Sequence, residues 1–233
     1  MLRRAKRAVL ASLHRVLKVV RRSPEKADLP AFNACGVGVS FESPRKVLNP
    51  QCMSVGDHVK IGPYCQIAAI TEYPGPWLRL PDEKVELQRF EPIIHIGDRV
   101  TATSSLHIYS QHSVLIEDGV GFGPNVFIND ASHGHECVDV PFMWQPLQDI
   151  AAVSIGRGCW IAANVVIMPG VHIGEQSIIG ANSVVAESIP PYCIAAGAPA
   201  KVIKRWNVEA QRWEKVAHSS DQADQGPAPS PSA

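Results

Sequence analysis

The sequence predicts an all-β chain, a parallel β-helix of about five coils. Three observations carry this reading. A branched aliphatic residue recurs every sixth position at Ile155, Ile161, Ile167, Ile173, Ile179 and Val185. A small residue follows most of them, as in Ile155-Gly156, Ile161-Ala162, Ile173-Gly174 and Ile179-Gly180. The fifth position of each unit is again small or branched, as at Val165, Val171, Ser177 and Ser183. A period of six fits no helix, because 3.6 residues per turn would carry these side chains around the axis instead of stacking them. It fits hexapeptide repeats, three to a triangular coil.

The composition agrees with a narrow solenoid. Hydrophobic residues make up 45% of the 233 and aromatics only 6%, as expected where small branched side chains fill the interior. Lys and Arg total 22 against 22 Asp and Glu, so no whole-protein field argues for nucleic acid as a partner. Six cysteines lie scattered with no CxxC pair. They are read as reduced thiols of a cytoplasmic protein, several facing the core, and not as a zinc site.

Residues 1–22 hold eight Lys or Arg and no acid, with Leu2, Val9, Leu13, Val16, Leu17 and Val20 near one helical stripe. No run approaches the roughly 20 apolar residues of a membrane span. This basic amphipathic helix either packs on its own protein or a partner subunit, or lies peripherally on an anionic membrane. Residues 23–54 contain Pro24, Pro30, Pro44 and Pro50, which forbid a long helix. Alternation at Val37, Val39 and Phe41 suggests a strand that caps the open end.

The repeat domain spans 55–205. It starts at Val55-Gly56, Ile61-Gly62 and Ile67-Ala68, resumes at Ile96-Gly97, Ala102 and Ile108, and continues through Ile116, Phe122 and Ile128 before the run from Ile155. Fifteen hexads, at roughly 4.8 Å per coil, give a prism about 25 Å tall. Two loops interrupt it, 71–91 and 129–153. The first carries Trp77, Leu78 and Phe90, which need cover from water and are expected to pack on a neighbour or roof a cleft. Residues 206–233 are read as a short helix, from NVEAQRWEKVAH, followed by a disordered tail.

A regular prism has smooth faces, so chemistry is sought where the repeat breaks. The segment from Ile128 to Asp149 gathers Asn129, Asp130, Ser132, His133, His135, Glu136, Asp139 and Asp149. His133 lies five residues past the last in-register position, close enough to be aimed by the coil. An imidazole can accept a proton near neutral pH, and a positioned base contributes about 10²- to 10⁴-fold in rate.

The run Trp160-Ile161-Ala162-Ala163-Asn164-Val165-Val166-Ile167-Met168-Pro169-Gly170, with Ile179-Gly180-Ala181-Asn182 and Gly197-Ala198-Pro199-Ala200-Lys201, resembles the hexapeptide-repeat acyltransferases. Ile128-Asn129-Asp130-Ala131-Ser132-His133-Gly134 resembles their sugar and polysaccharide O-acetyltransferase branch. The resemblance implies a left-handed β-helix, a homotrimer with sites between subunits, and direct transfer from acetyl-CoA to a sugar or polysaccharide hydroxyl. It implies His133 as the catalytic base, with Asn129, Asp130, His135 and Trp160 toward the acceptor. It further implies backbone contacts to the cofactor from Ala163, Ala181 and Ala186, and phosphate contacts from Lys201 and Lys204.

The chain departs from the family pattern at several points. Ala162 replaces a usual Gly, and Glu187 stands where a Lys is common. Thr103 and Ser110 stand where the galactoside and maltose enzymes carry Asn and Asp, which argues against those acceptors. Plainer alternatives accompany these readings: His133 as a solvated loop residue, Trp160 as a filler between subunits, and Asn129 and Asp130 as turn caps. Asn125 is read as a corner residue. Amino-sugar N-acetylation uses the same machinery. His107 and His112 leave open a γ-type carbonic anhydrase, and the basic helix a non-enzymatic membrane-recruiting scaffold.

Overall fold

The computed structural model describes residues 29–79 and 86–216. The basic segment 1–22 and the tail 219–233 lie outside the described residues. What is described is a three-faced prism of parallel ladders, each face adding one short strand per coil. The first face holds Ala34–Cys35, Met53–Val55, Ile93–Ile96, Ser113–Ile116, Val153–Ile155 and His172–Ile173. The second runs from Ser40–Phe41 through Lys60–Ile61, Thr101–Ala102, Gly121–Phe122, Trp160–Ile161 and Ile178–Ile179 to Cys193–Gly197. The third holds Lys46–Leu48, Gln66–Ala69, His107–Ser110, Phe127–Asn129, Val166–Ile167 and Val184–Val185.

Side chains alternate in and out along each strand, so every sixth residue stacks on its counterpart in the next coil. On the second face Phe41, Ile61, Ala102, Phe122, Ile161, Ile179 and Ala195 form one column. The small Ala102 between Ile61 and Phe122 leaves room for the phenyl ring, the alternation of sizes that close packing requires. The fifth positions supply a second inward set, including Val59, Val100, Val120 and Cys159, all buried. Cys65, Cys159 and Cys193 face this core as free thiols. Burial pushes the Cys159 thiol up to about 11, and the thiol donates to the Gly174 carbonyl at 3.1 Å.

Two expectations are corrected. The prism has six coils, not five, because Cys35, Phe41 and Val47 form a first coil in register with Val55, Ile61 and Ile67. Much of the segment expected as a cap therefore belongs to the repeat, its six-residue period disguised by a Cys and a Phe at the stacked positions, Cys35 exposed in the first coil and Phe41 buried. The C-terminal helix is replaced by a strand hairpin, Ala200–Asn207 against Arg212–Lys215, which extends the second face antiparallel. Cross-strand pairing of Trp206 with Trp213, ring centroids 5.4 Å apart, outweighs the helical propensity of the segment. Among the described residues no helix is long and apolar enough to cross a membrane.

Candidate active site

Both interruptions, 71–91 and 129–153, leave the prism where the third face turns into the first. Between them the same corner is made by Gln111 and His112 alone. Asp130 binds these levels together. It is fully buried, and its carboxylate accepts from the Ser110 hydroxyl at 2.6 Å and from the backbone N–H groups of Gln111 and His112 at 2.7 and 2.9 Å. Three donors on one carboxylate make Asp130 an anchor of the corner, out of reach of solvent and so of an acceptor. Asn129 turns its amide NH₂ to the Ala131 carbonyl, while its Oδ1, like Gln111 Oε1, is buried without a partner among the described residues.

The two insertions fold on each other. Glu72–Tyr73 and Gln88–Arg89 pair as an antiparallel stem in the first, and Tyr73 and Leu78 pack with Ala131 and Leu147 of the second, with Phe90 and Trp144 alongside. The expectation that Leu78 and Phe90 need cover is met here, while the side chain of Trp77 lies outside what is described. Gln88 clamps the pair, its amide donating to the Leu147 carbonyl at 3.1 Å and accepting from the Leu147 N–H at 2.7 Å. Ser132 and Gln148 bridge the base of the second insertion through reciprocal backbone bonds of 2.8 Å. Gln145, buried, knits its far side by donating to the Cys137 and Val140 carbonyls.

His133 emerges from this frame with its side chain exposed. Gly134 follows it because a Cβ there would stand 2.3 Å from the Pro146 carbonyl oxygen. His133 Nδ1 lies 3.2 Å from the Tyr73 hydroxyl, and the two rings meet edge to face with centroids 5.6 Å apart. Tyr73 in turn donates to the Met143 carbonyl, and burial holds its phenol above the ordinary tyrosine range. An exposed imidazole fixed through one nitrogen presents the other to a bound molecule, the arrangement a general base needs. His135 is exposed, its Nδ1 3.5 Å from the His133 carbonyl. Tyr73 was not singled out from the sequence. The only signal was an apolar interruption that had to be covered.

The remaining candidates occupy later coils. Trp160 projects, 46% exposed, from the second face, where Gly121 of the preceding coil leaves its ring room. Ala163 and Ala181 sit at the corner between second and third faces, joined by a bond from Asn182 N–H to the Ala163 carbonyl at 2.9 Å. Their own N–H groups, and that of Ala186, have no acceptor among the described residues. Earlier coils place Pro63 and Pro124 at the corner position of Ala163 and Ala181, so the site tolerates a residue with no donor, yet coils five and six keep one. Asn125, Asn164 and Asn182 stack beside them in left-handed conformation, φ 59, 58 and 59, linked amide to amide. Lys201 pairs with Glu187 at 2.8 Å, a solvated contact easily exchanged for another anion. Lys204 is half-buried opposite Ile194.

The structure therefore groups the candidates at two corners. His133, Asn129 and, two coils on, Ala186 lie on the third-to-first corner; Ala163 and Ala181 lie on the second-to-third. Six residues at about 3.3 Å cap the face between them at about 20 Å. Among the described residues no three His, Cys, Asp or Glu side chains converge as a metal site. His112 spends its N–H on Asp130, and His107 points outward between Gln66 and Phe127 on the third face.

Comparison with known proteins adds the following. A family model described as bacterial transferase hexapeptide (six repeats) matches residues 152–187. Over 131 residues, 53% of this chain and 66% of the relative, the chain is 38% identical to an Escherichia coli K12 protein named as a lipopolysaccharide biosynthesis O-acetyl transferase, WbbJ. Over 116 residues, 49% of this chain and 55% of the relative, it is 40% identical to the galactoside O-acetyltransferase of the same organism. The chain thus spans between about half and two thirds of these relatives' length. The solved structure of AntD, an N-acyltransferase from Bacillus cereus in complex with dTDP and coenzyme A, superposes with a TM-score of 0.64 at 19% identity, covering 81% of this chain and 92% of that one. That likeness shows the shared fold. The chain is thus similar to the bacterial hexapeptide transferases over its repeat, folds as a left-handed parallel β-helix, and shares sequence with named sugar O-acetyltransferases over about half to two thirds of their length.

Proposed function

We propose that the protein transfers an acetyl group from acetyl-CoA to a sugar hydroxyl, on a surface polysaccharide or its lipid-linked or nucleotide-linked precursor. The observation that carries this reading is His133, exposed at a rigid break in the repeat and engaged through Nδ1 alone. Its other nitrogen takes the hydroxyl proton as the oxygen attacks the thioester carbonyl. The tetrahedral oxyanion is met by the free Ala163 N–H, and no residue is acylated. The N–H groups of Ala181 and Ala186 suit the amides of the pantetheine arm. Lys201, released from Glu187, together with Lys204 and Arg205, suits its phosphates. Trp160 walls the channel.

The separation of His133 from Ala163 and Ala181 by the whole third face supports a homotrimer, in which one prism's base corner meets the neighbour's cofactor corner. Asn129 and His135 border the acceptor side, while Asp130 acts through the corner it anchors. A cytoplasmic location, peripheral on the inner face of the membrane through residues 1–22, is consistent with the eight cations of that segment and with a lipid-linked acceptor.

The test is release of coenzyme A from acetyl-CoA in the presence of lipid-linked and nucleotide sugars, with the product treated with mild alkali. An alkali-labile ester is expected. An alkali-stable amide would redirect the reading to amino-sugar N-acetylation. No coenzyme A release with any acceptor, and no acetyl-CoA binding, would contradict it.

A further inference from the structure

We infer that Tyr73, contributed by the first insertion, is a positioning residue that holds His133 in the Nδ1–H tautomer and leaves Nε2 as the basic nitrogen. The inference rests on the reading of His133 as the base, but the proton assignment stands on its own geometry. A phenol has one proton to give, and a backbone carbonyl can only accept. Tyr73 donates that proton to the Met143 carbonyl. The contact of 3.2 Å between its oxygen and His133 Nδ1 is then a hydrogen bond only if the imidazole supplies the proton. A neutral imidazole carries one N–H, so Nε2 holds the lone pair.

The geometry is braced from both sides. Tyr73 is itself buried among Leu78, Ala131 and Leu147, and its edge-to-face contact with the imidazole fixes the ring plane at 66°. When Nε2 takes a proton, the Nδ1–H bond to the phenol oxygen becomes charge-assisted and shortens, favouring the protonated base in the transition state. Burial keeps the phenol neutral, so its own proton stays on the oxygen and directed at the Met143 carbonyl, while the oxygen's lone pairs accept from the imidazole. The regular hexads supply nothing comparable: the hydroxyl arrives from an interruption two coils before the histidine.

The test uses full-length protein labelled with ¹⁵N-histidine, the His133 signals being assigned by their loss in His133→Ala. At pH 8 the wild type is expected to show His133 protonated at Nδ1 and bare at Nε2. Tyr73→Phe keeps the ring and its packing while removing the oxygen. It is expected to move His133 toward the Nε2–H form and to lower kcat about tenfold or more, with KM for acetyl-CoA unchanged within about twofold. A wild-type spectrum showing Nε2–H, or an unchanged tautomer in a folded Tyr73→Phe, overturns the inference. Should Tyr73→Phe not fold, the wild-type spectrum alone decides. Activity retained by His133→Ala would defeat the base assignment while leaving the tautomer result to stand or fall by its own signals.

Discussion

Asp130 carries a charge into a fully buried corner, and the arrangement is stable because three donors converge on it. Replacement by Ala leaves a hydroxyl and two backbone N–H groups without partners. Each buried orphan costs about 1–3 kcal/mol, so Asp130→Ala is expected to lose about 3 kcal/mol or more in chemical denaturation. A loss below about 1 kcal/mol would mean that water replaces the carboxylate. Cys159 offers a test in pH. The folded chain keeps this thiol protonated up to about 11, against an ordinary 9.0, because burial disfavours the thiolate. The unfolded chain therefore releases the proton first as pH rises. The contribution of this site to stability is complete below about 9 and is lost between 9 and 11. Over that interval the melting temperature should fall less steeply in Cys159→Ala than in wild type.

At the scale of elements, the two insertions act as one body joined by Gln88 and Leu147. Gln88→Ala removes both bonds, each worth about 1 kcal/mol, and is expected to raise hydrogen exchange of amides 131–148 roughly tenfold while the coil amides keep their protection. Equal change in both would show that the insertion is not a separate unit.

Legibility in the sequence divides along the same line. The run from Ile155 to Val185 announced its coils because each unit repeats one inward aliphatic residue, a local signal. The coil at Cys35, Phe41 and Val47 keeps the period yet escaped notice, since its residues vary and its register is visible only against Val55, Ile61 and Ile67. The hairpin at Trp206 and Trp213 read as a helix because its strand character depends on Cys193–Gly197, to which it pairs. His133 was legible from its place just past the register. Tyr73 and the anchoring role of Asp130 were not, because they depend on contacts 60 and about 20 residues away in sequence, which no period encodes.

As a whole the molecule is a one-dimensional stack, each coil touching the coils before and after it. The middle of a column is then the most sensitive place to cut. Ile161, fully buried between Phe122 and Ile179, should cost about 2–5 kcal/mol as Ala, read from denaturant unfolding, and more than the same change at half-buried Val47 in the first coil. The stack also explains the division of labour between scaffold and site. Uninterrupted coils five and six offer free N–H groups at one corner, while the interrupted coils two to four build the base at the next.

The direct test of that account is acetyl-CoA titration of wild type and His133→Ala, followed by acetyl transfer to a responsive sugar acceptor. Both proteins are expected to bind acetyl-CoA alike, with transfer falling about 10²- to 10⁴-fold in the variant. Transfer within about threefold of wild type, or the absence of acetyl-CoA binding by either protein, would contradict it.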